Sequence, residues 1–592
     1  VPKSSGSTDI EKSLIHGLFG KVLTEPSILS RFDKRLGSSK RPDGQDLYGI
    51  LDPLQEAVEK YGEQTRPFSR SKIGSVEKFL KKYYMSFHNS LHRRTVMSEE
   101  EAINGVPGSK SYLQLKMDTS PGWPHILTRP RVETGKKYLF RELEPYSDGR
   151  RRYYIADDIL RSVIDNLEFE ARKGRHSFAL CVENAKDERR AKKKIYEKVA
   201  TRSFTALEVG RNILYRKYFM DFAIAIQENF ERTFVKVGIN PLGPDWTKLY
   251  TDLESKSSKG FAGDYAKFDG VADPEILMSI CRVANAWYGA SEEEAIVRET
   301  LMFDAFHRWS IVRNEVVEIH QGMPSGFPMT AIFNSIVNFY LLSMAWCDIL
   351  KGTPLLTYAN VKSFMDVCGL ATYGDDNVVS VPEEFLQYFN LRSVAKWLAH
   401  YGISYTDDQK RPIEESEPFV NLSDVSFLKR NFRRLKSNHI VVAAPLDKRA
   451  IEEQCHWVRT GDLTPKEALY ANIDNSLWEA SLWGFAYFYD LRSRLNTALR
   501  LVQLPEVSHD HTEMLVRFWK EYTAGGLLDR DIEDLIDKGK IDRGGFDETA
   551  PITVNGKEMS LGEVIQSCVD QPDVYFEFGA GGSDCWSLVT RV

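Results

Sequence analysis

Four aspartates stand where chemistry could be done. Asp264 lies in a strand-like segment, Gly260 to Tyr265, and Asp269 follows five residues later. Asp375 and Asp376 sit between two β-type runs, Leu370 to Tyr373 and Val378 to Val381, and Gly374-Asp375-Asp376-Asn377 has hairpin-turn composition. Carboxylates from separate strands can hold two Mg2+ ions about 4 Å apart, stabilising the attacking and leaving oxygens as a hydroxyl displaces pyrophosphate from a nucleotide. Asp264 and Asp375 fit that need and Asp376 supports it. A hairpin tip suits the pair because the flanking strands fix it against the first strand. The triplet alone says little, since ordinary composition yields a Gly-Asp-Asp in roughly one chain of this size in ten. Surface carboxylates in a turn are the plain alternative.

Phosphate chemistry also calls for cations. Between Lys186 and Arg202 stand Lys186, Arg189, Arg190, Lys192, Lys193, Lys194, Lys198 and Arg202, against Asp187, Glu188 and Glu197. Such a run is usually a solvated helix face, but its place just upstream of Asp264 favours phosphate binding. The net charge of −6 divides unevenly: residues 503 to 592 carry 18 acidic and 8 basic side chains, leaving 66 acidic and 70 basic in the rest. Any nucleic-acid path must therefore rest on local basic clusters and not on a global field.

At 592 residues the chain is several times longer than one core usually serves, which predicts two to four subdomains. Its 42% hydrophobic and 27% charged residues exclude disorder as the main state. Seven scattered cysteines without a Cys-x-x-Cys pair read as a reducing compartment with no zinc module, and His509-Asp510-His511 reads as a loop. Ile332 to Leu350 is strongly apolar, but Asn334, Asn338 and Asp348 make it a buried helix and not a membrane span. The Val-Pro start, with no charged n-region before an apolar one, favours a fragment released by proteolysis over a secreted chain. No internal repeat is visible.

Order and context give these weak signals their force. In sequence come Thr119-Ser120-Pro121-Gly122-Trp123-Pro124, Lys186-Asp187-Glu188-Arg189-Arg190, Asp264-Tyr265-Ala266-Lys267-Phe268-Asp269, and Gly322-Met323-Pro324-Ser325-Gly326 leading to Thr330 and Asn334. Tyr373-Gly374-Asp375-Asp376, Thr406-Asp407-Asp408-Gln409-Lys410 and Phe427-Leu428-Lys429-Arg430 follow. These resemble motifs G, F, A, B, C, D and E of the picornavirus-like RNA-dependent RNA polymerases over about residues 20 to 500. Phe327-Pro328-Met329 and the stretch from Val237 to Leu242 look more like the insect-infecting iflavirus and dicistrovirus relatives.

The resemblance implies an α+β, closed right-hand polymerase with a ferredoxin-like palm sheet bearing helices on one face. Fingers would comprise 1–218 and 302–322, palm 219–301 and 323–436, and thumb 437–505, followed by an acidic extension, 506–592, packed on the thumb or over the exit path. It implies two metal ions, Mg2+ with Mn2+ able to substitute, on Asp264, Asp375 and Asp376. Lys410 would be the general acid for pyrophosphate. Lys186, Arg190, Lys194 and Arg202 would serve the triphosphate and template, with Arg189, where leucine is usual, as one more cation nearby. Asp269, Ser325, Thr330 and Asn334 would meet the nucleotide, Asp269 and Asn334 through the ribose 2′-hydroxyl. Gly322, Ser325 and Gly326 suit a mobile loop close to nucleic acid. Thr119, Ser120, Pro121 and Gly122, and Phe427, Leu428, Lys429 and Arg430, would hold RNA. Implied partners are RNA template and primer, NTPs and other viral replication proteins, a protein primer among them if initiation is not de novo. Implied too is work in the host cytoplasm, at membrane-associated replication complexes reached through partners. The rivals are a reverse transcriptase, against which Asp269 and Asn334 argue, and a catalytically dead RNA-binding scaffold, against which the intact aspartates argue.

Overall fold

The computed structural model describes residues 8–30, 33–40, 46–435, 438–459 and 461–522, together with four strands between 552 and 590. Most of the acidic extension lies outside the described residues.

The centre is an antiparallel sheet. Its strands are Lys259–Tyr265 (β1), Gly369–Tyr373 (β2), Asp376–Ser380 (β3), Tyr405–Asp407 (β4) and Val420–Asn421 (β5). They lie in the order β2-β3-β1-β4, with β5 pairing the start of β1. Register places Phe261 opposite Val379 and Ala262 opposite Val378. Successive side chains point to opposite faces, so both faces of this sheet are apolar and both must be covered. Phe261, Tyr265 and Val379 enter the large core, while Ala262, Ala371 and Val378 join a second cluster. The expectation of helices on one face is thereby corrected: Trp246, Leu249 and Leu253 from the helix Pro244–Lys256 cover the second face.

The long helices are built for burial. Val209–Glu228 (α1) starts from Glu208, whose carboxylate accepts the N–H groups of Gly210 and Arg211, and nearly all of its residues are buried. Thr330–Lys351 (α2) contains the predicted buried helix. Among the described residues it is the one helix long and apolar enough to cross a membrane, and that apolar stretch is 83% buried within the protein. Asn334, Ser335, Asn338 and Ser343, polar residues on this helix, are buried as well.

A second sheet runs Glu315–Ile319, Arg308–Val312, Ala179–Ala185, Ser203–Ala206 in neighbour order. The N-terminal segment ties distant parts together. Ile10–Lys12 pairs with Trp457–Arg459, and Thr24–Pro26 pairs with Arg189–Ala191. Residues 465 to 522 form three helices, Pro465–Ser481 (α3), Phe485–Leu501 (α4) and His511–Tyr522 (α5). Ile15 and Phe19 pack into the core of α3 and α4. Leu515, Phe518 and Trp519 of α5 pack on Val441, Ala443 and Leu482, so residues 511–522 of the expected extension are built into this bundle.

Candidate active site

The four aspartates meet at one end of the central sheet. Asp264 lies opposite Thr406 on β4, and β2 and β3 form a tight hairpin in which Tyr373 faces Asp376. The turn is therefore only Gly374 and Asp375, shorter than composition suggested. Gly374 has φ +64, which glycine tolerates without steric cost.

α2 fixes the hairpin tip. Ser335 Oγ accepts the Gly374 N–H at 2.8 Å, and Asn338 Nδ2 donates to the carbonyls of Gly374 and Asp375, each at 3.1 Å. Asn338 Oδ1 in turn accepts from the Tyr265 hydroxyl at 3.1 Å, so one amide spans β1, the tip and α2. Sequence reading treated Asn338 only as an interruption of an apolar run. Its i, i+4 relation to Asn334 is the signal that both face the cleft.

The electrostatics of the tip are those of crowded like charge. Asp376 is pushed up to about 7 by burial and by the charge of Asp375, although the Leu428 N–H donates to its Oδ2 at 3.0 Å. Asp375 is raised by desolvation in the cleft and by Asp264 and Asp269. Because Asp375 keeps solvent-exposed surface, the neighbouring charges are the firmer of those two causes. Lys410 Nζ lies 2.6 Å from Asp264 Oδ2.

The Asp269 and Asn334 pair is formed: Asn334 Nδ2 donates to Asp269 Oδ1 at 2.9 Å, and Asn334 Oδ1 is buried without a partner. A hydroxyl donor placed there would satisfy it. The loop before α2 is tied down by its own residues. Thr330 Oγ1 donates to the carbonyls of Pro324 and Phe327 at 2.9 and 2.7 Å, and Ser325 Oγ accepts the Thr205 N–H at 2.9 Å. Protein contacts alone already require glycine at Gly322: a Cβ there would stand 2.2 Å from the Asp269 carbonyl oxygen.

The basic block divides. Lys194 and Arg190 are lowered, chiefly by burial, and both feel the charge of Asp264; Arg202 is raised, chiefly by its hydrogen bond to Glu188, and feels Asp375 and Asp269. These three face the carboxylates. Lys186 is exposed. Glu188, counted only as an interruption in the sequence, accepts from Arg202 Nε at 2.6 Å and lies 3.8 Å from Arg190 Nε. Arg189 is not a further cation near that path: its guanidinium donates to the Glu453 carbonyl, because adjacent residues of a strand point opposite ways.

The outer RNA-holding expectations land unevenly. Thr119 Oγ1 donates to the Lys116 carbonyl at 3.0 Å and accepts from Lys136 Nζ at 2.8 Å, Ser120 Oγ accepts the Gly122 N–H at 3.2 Å, and the Pro121 carbonyl accepts the Val209 N–H at the start of α1. Lys429 is exposed and Leu428 half-buried, whereas Phe427 is fully buried against Trp246. Arg430 grips Glu479 of α3 at 2.7 and 3.1 Å and the Ala444 carbonyl at 2.6 Å. Leu428 and Lys429 both have positive φ, +55 and +60, in a turn that usually takes Asn-Gly, and this strained turn aims the Leu428 N–H at Asp376.

Comparison with known proteins gives a consistent picture. The family model described as viral RNA-dependent RNA polymerase matches residues 19–499. The genome polyprotein of Rice tungro spherical virus (strain Vt6) is 42% identical over 565 residues, covering 95% of this chain and 16% of that polyprotein. The replicase polyprotein of Acute bee paralysis virus (strain Rothamsted) is 28% identical over 484 residues, 81% of this chain and 24% of that polyprotein. The chain thus spans a minor part of the curated relatives it matches, and the bee-virus relative is of lower identity than the rice-virus one. Among solved structures, Sicinivirus 3Dpol RNA dependent RNA polymerase is similar with a TM-score of 0.66 at 19% identity, covering 86% of this chain and 95% of that one. That likeness concerns the fold, a right hand.

Proposed function

The chain belongs to the viral RNA-dependent RNA polymerase family, and from that membership we propose that it copies the genome of a positive-strand RNA virus by adding nucleotides to an RNA 3′ end. The observation that carries the chemistry is the crowding of Asp264, Asp375 and Asp376. Burial together with the charge of neighbouring carboxylates raises Asp375 and Asp376, and divalent cations would relieve that crowding, so the residues present fit the metals that the family implies. Two such ions, Mg2+ or Mn2+, would be held by these three aspartates and supply charge stabilisation at the attacking and leaving oxygens.

The protein's own groups do the rest. Arg190, Lys194 and Arg202, with exposed Lys186, neutralise triphosphate oxygens, and Glu188 keeps Arg202 and Arg190 oriented across that path. Lys410, at 2.6 Å from Asp264, places its ammonium group beside the cleft, where it can donate to the departing pyrophosphate. Asp269 and Asn334 meet the ribose 2′-hydroxyl, which is both donor and acceptor, as their pair leaves one buried acceptor open. Asn338 and Ser335 hold the carboxylates in place. In the right hand, fingers then correspond to 1–218 and 302–322, palm to 219–301 and 323–436, and thumb to 437–505 with α5 packed beside it. RNA template and primer, NTPs and other viral replication proteins are the partners of this reading, with the host cytoplasm as its setting.

The test is incorporation by purified protein given Mg2+, a primed RNA template and either ribonucleotides or deoxyribonucleotides. Extension with ribonucleotides and little with deoxyribonucleotides is expected. Efficient DNA synthesis on the same primer would overturn the reading in favour of a reverse transcriptase, and tight template binding without any synthesis would favour a scaffold.

A further inference from the structure

Away from the aspartates, the hairpin of Arg308–Val312 and Glu315–Ile319 ends in a second group of candidate ligands. Its register pairs Arg308 with Ile319, so His307 and His320 stand across from each other at the open end. Their rings meet edge to face with 4.7 Å between centroids. Glu318, two residues before His320, shares its face, and Glu318 lies opposite Trp309. One carboxylate oxygen of Glu318 is 3.2 Å from His307 Nε2 and the other 3.8 Å from His320 Nε2. One ligand atom from each of the three residues falls within 4.8 Å of the others.

A four-coordinate Zn2+ with bonds of about 2.0 to 2.2 Å sets its ligand atoms roughly 3.4 Å apart, close to the spacing found, so modest side-chain rotation would close the set. Two imidazoles and one carboxylate suit Zn2+ better than Mg2+, which prefers oxygen alone. Glu318 and His320 are exposed and His307 half-buried, leaving a fourth position to water. We propose that His307, Glu318 and His320 form a Zn2+ site, separate from the aspartates, that staples the base of this hairpin.

The staple has a defined neighbour. His320 is followed by Gln321, whose amide donates to the carbonyls of Glu63 and Gly270, both at 2.9 Å, and by Gly322, whose N–H donates to the Ala272 carbonyl at 3.1 Å. That is the start of the loop that carries Ser325 and leads into α2. An ion across His307 and His320 therefore restrains the entrance to that loop from outside the site itself.

The probe is Zn2+ alone, titrated calorimetrically into chelator-treated full chain in excess Mg2+, which keeps the aspartates occupied. Expected is one Zn2+ bound per chain, with His320→Ala and Glu318→Gln each weakening it about tenfold or more, since loss of a ligand should cost at least as much as loss of its outer support. Asp375→Asn should bind it as wild type does. Both first substitutions are at exposed side chains, and circular dichroism checks that the chains stay folded. Co2+ in place of Zn2+ should show the visible absorption of a four-coordinate imidazole site, lost in His320→Ala. Unchanged Zn2+ binding in both variants, or no binding above the Mg2+ background, would overturn the proposal and leave the three side chains as an ion-pair ladder only.

Discussion

At the scale of single residues, the chemistry depends on groups whose type the reaction dictates, which is why so many were legible. A site for charged phosphates needs aspartates and cations, and their order along the chain carried Asp264, Asp375, Asp376, Asp269, Asn334 and Lys410 to one cleft. What sequence could not give is which cations are already engaged. Arg430 and Glu479 are 49 residues apart, and Arg189 meets Glu453 from 264 residues away. No spacing rule anticipates such pairs. Lys410 is the most exposed test of the residue roles. Lys410→Leu is expected to slow single-turnover incorporation by about 10²-fold, the scale of a lost general acid, with a smaller effect on nucleotide affinity. Rapid-quench kinetics measure both, and an unchanged rate would make Lys410 an ordinary partner of Asp264.

At the scale of elements, the strands and the buried helix were legible from pattern, but the bonds between them were not. The hairpin was readable from its Gly-Asp-Asp-Asn composition, yet its short turn and its attachment to α2 through Ser335 and Asn338 appear only when helix and strand are packed. Asn338→Leu keeps the branched outline but removes the donor to the Gly374 and Asp375 carbonyls and the acceptor of the buried Tyr265 hydroxyl, at a cost of about 1 to 3 kcal/mol in stability. A tip displaced by about 1 Å should lower primer extension by roughly 10²-fold. Thermal melting and extension assays on the same preparation separate the two effects.

The N-terminal tie offers a pH test at the same scale. His456 is buried, stacks on Phe19 with 4.1 Å between ring centroids, and accepts the Gly17 N–H at 3.2 Å. Burial and the neighbouring His16 lower it from 6.5 to about 4. Between those values the unfolded chain binds the proton and the folded chain does not. The stabilising effect is thus whole above about pH 6.5 and is lost as pH falls toward 4, about 3 kcal/mol in all. His456→Gln should flatten that part of the stability profile in denaturant titrations from pH 7 to pH 4. An equally steep decline in the variant would assign the effect to other groups.

At the scale of the whole molecule, the N-terminal segment closes the hand by joining Arg189–Ala191 on one side and Trp457–Arg459 on the other. The boundary after residue 505, drawn from the family resemblance, did not register α5, whose apolar stripe of Met514, Leu515, Phe518 and Trp519 completes the bundle. Ending the chain after Tyr522 should preserve melting temperature and elongation on a preformed primer. Ending it after residue 505 uncovers Val441, Ala443 and Leu482 and should lower the melting temperature by about 1 to 3 °C, what about 1 to 3 kcal/mol of lost burial gives in a chain this long. Equal melting of the two truncations would show that α5 adds nothing to the body.

Primer extension by Asp375→Asn, beside wild type in Mg2+ with ribonucleotides on a primed RNA template, bears most directly on whether the crowded aspartates are the catalytic site. The substitution changes one carboxylate to an amide of the same shape at an exposed turn. Extension should fall by several orders of magnitude, on the order of the largest losses seen when a catalytic group is removed, while template binding and melting temperature stay near wild type. Extension close to the wild-type rate in the folded variant would contradict it.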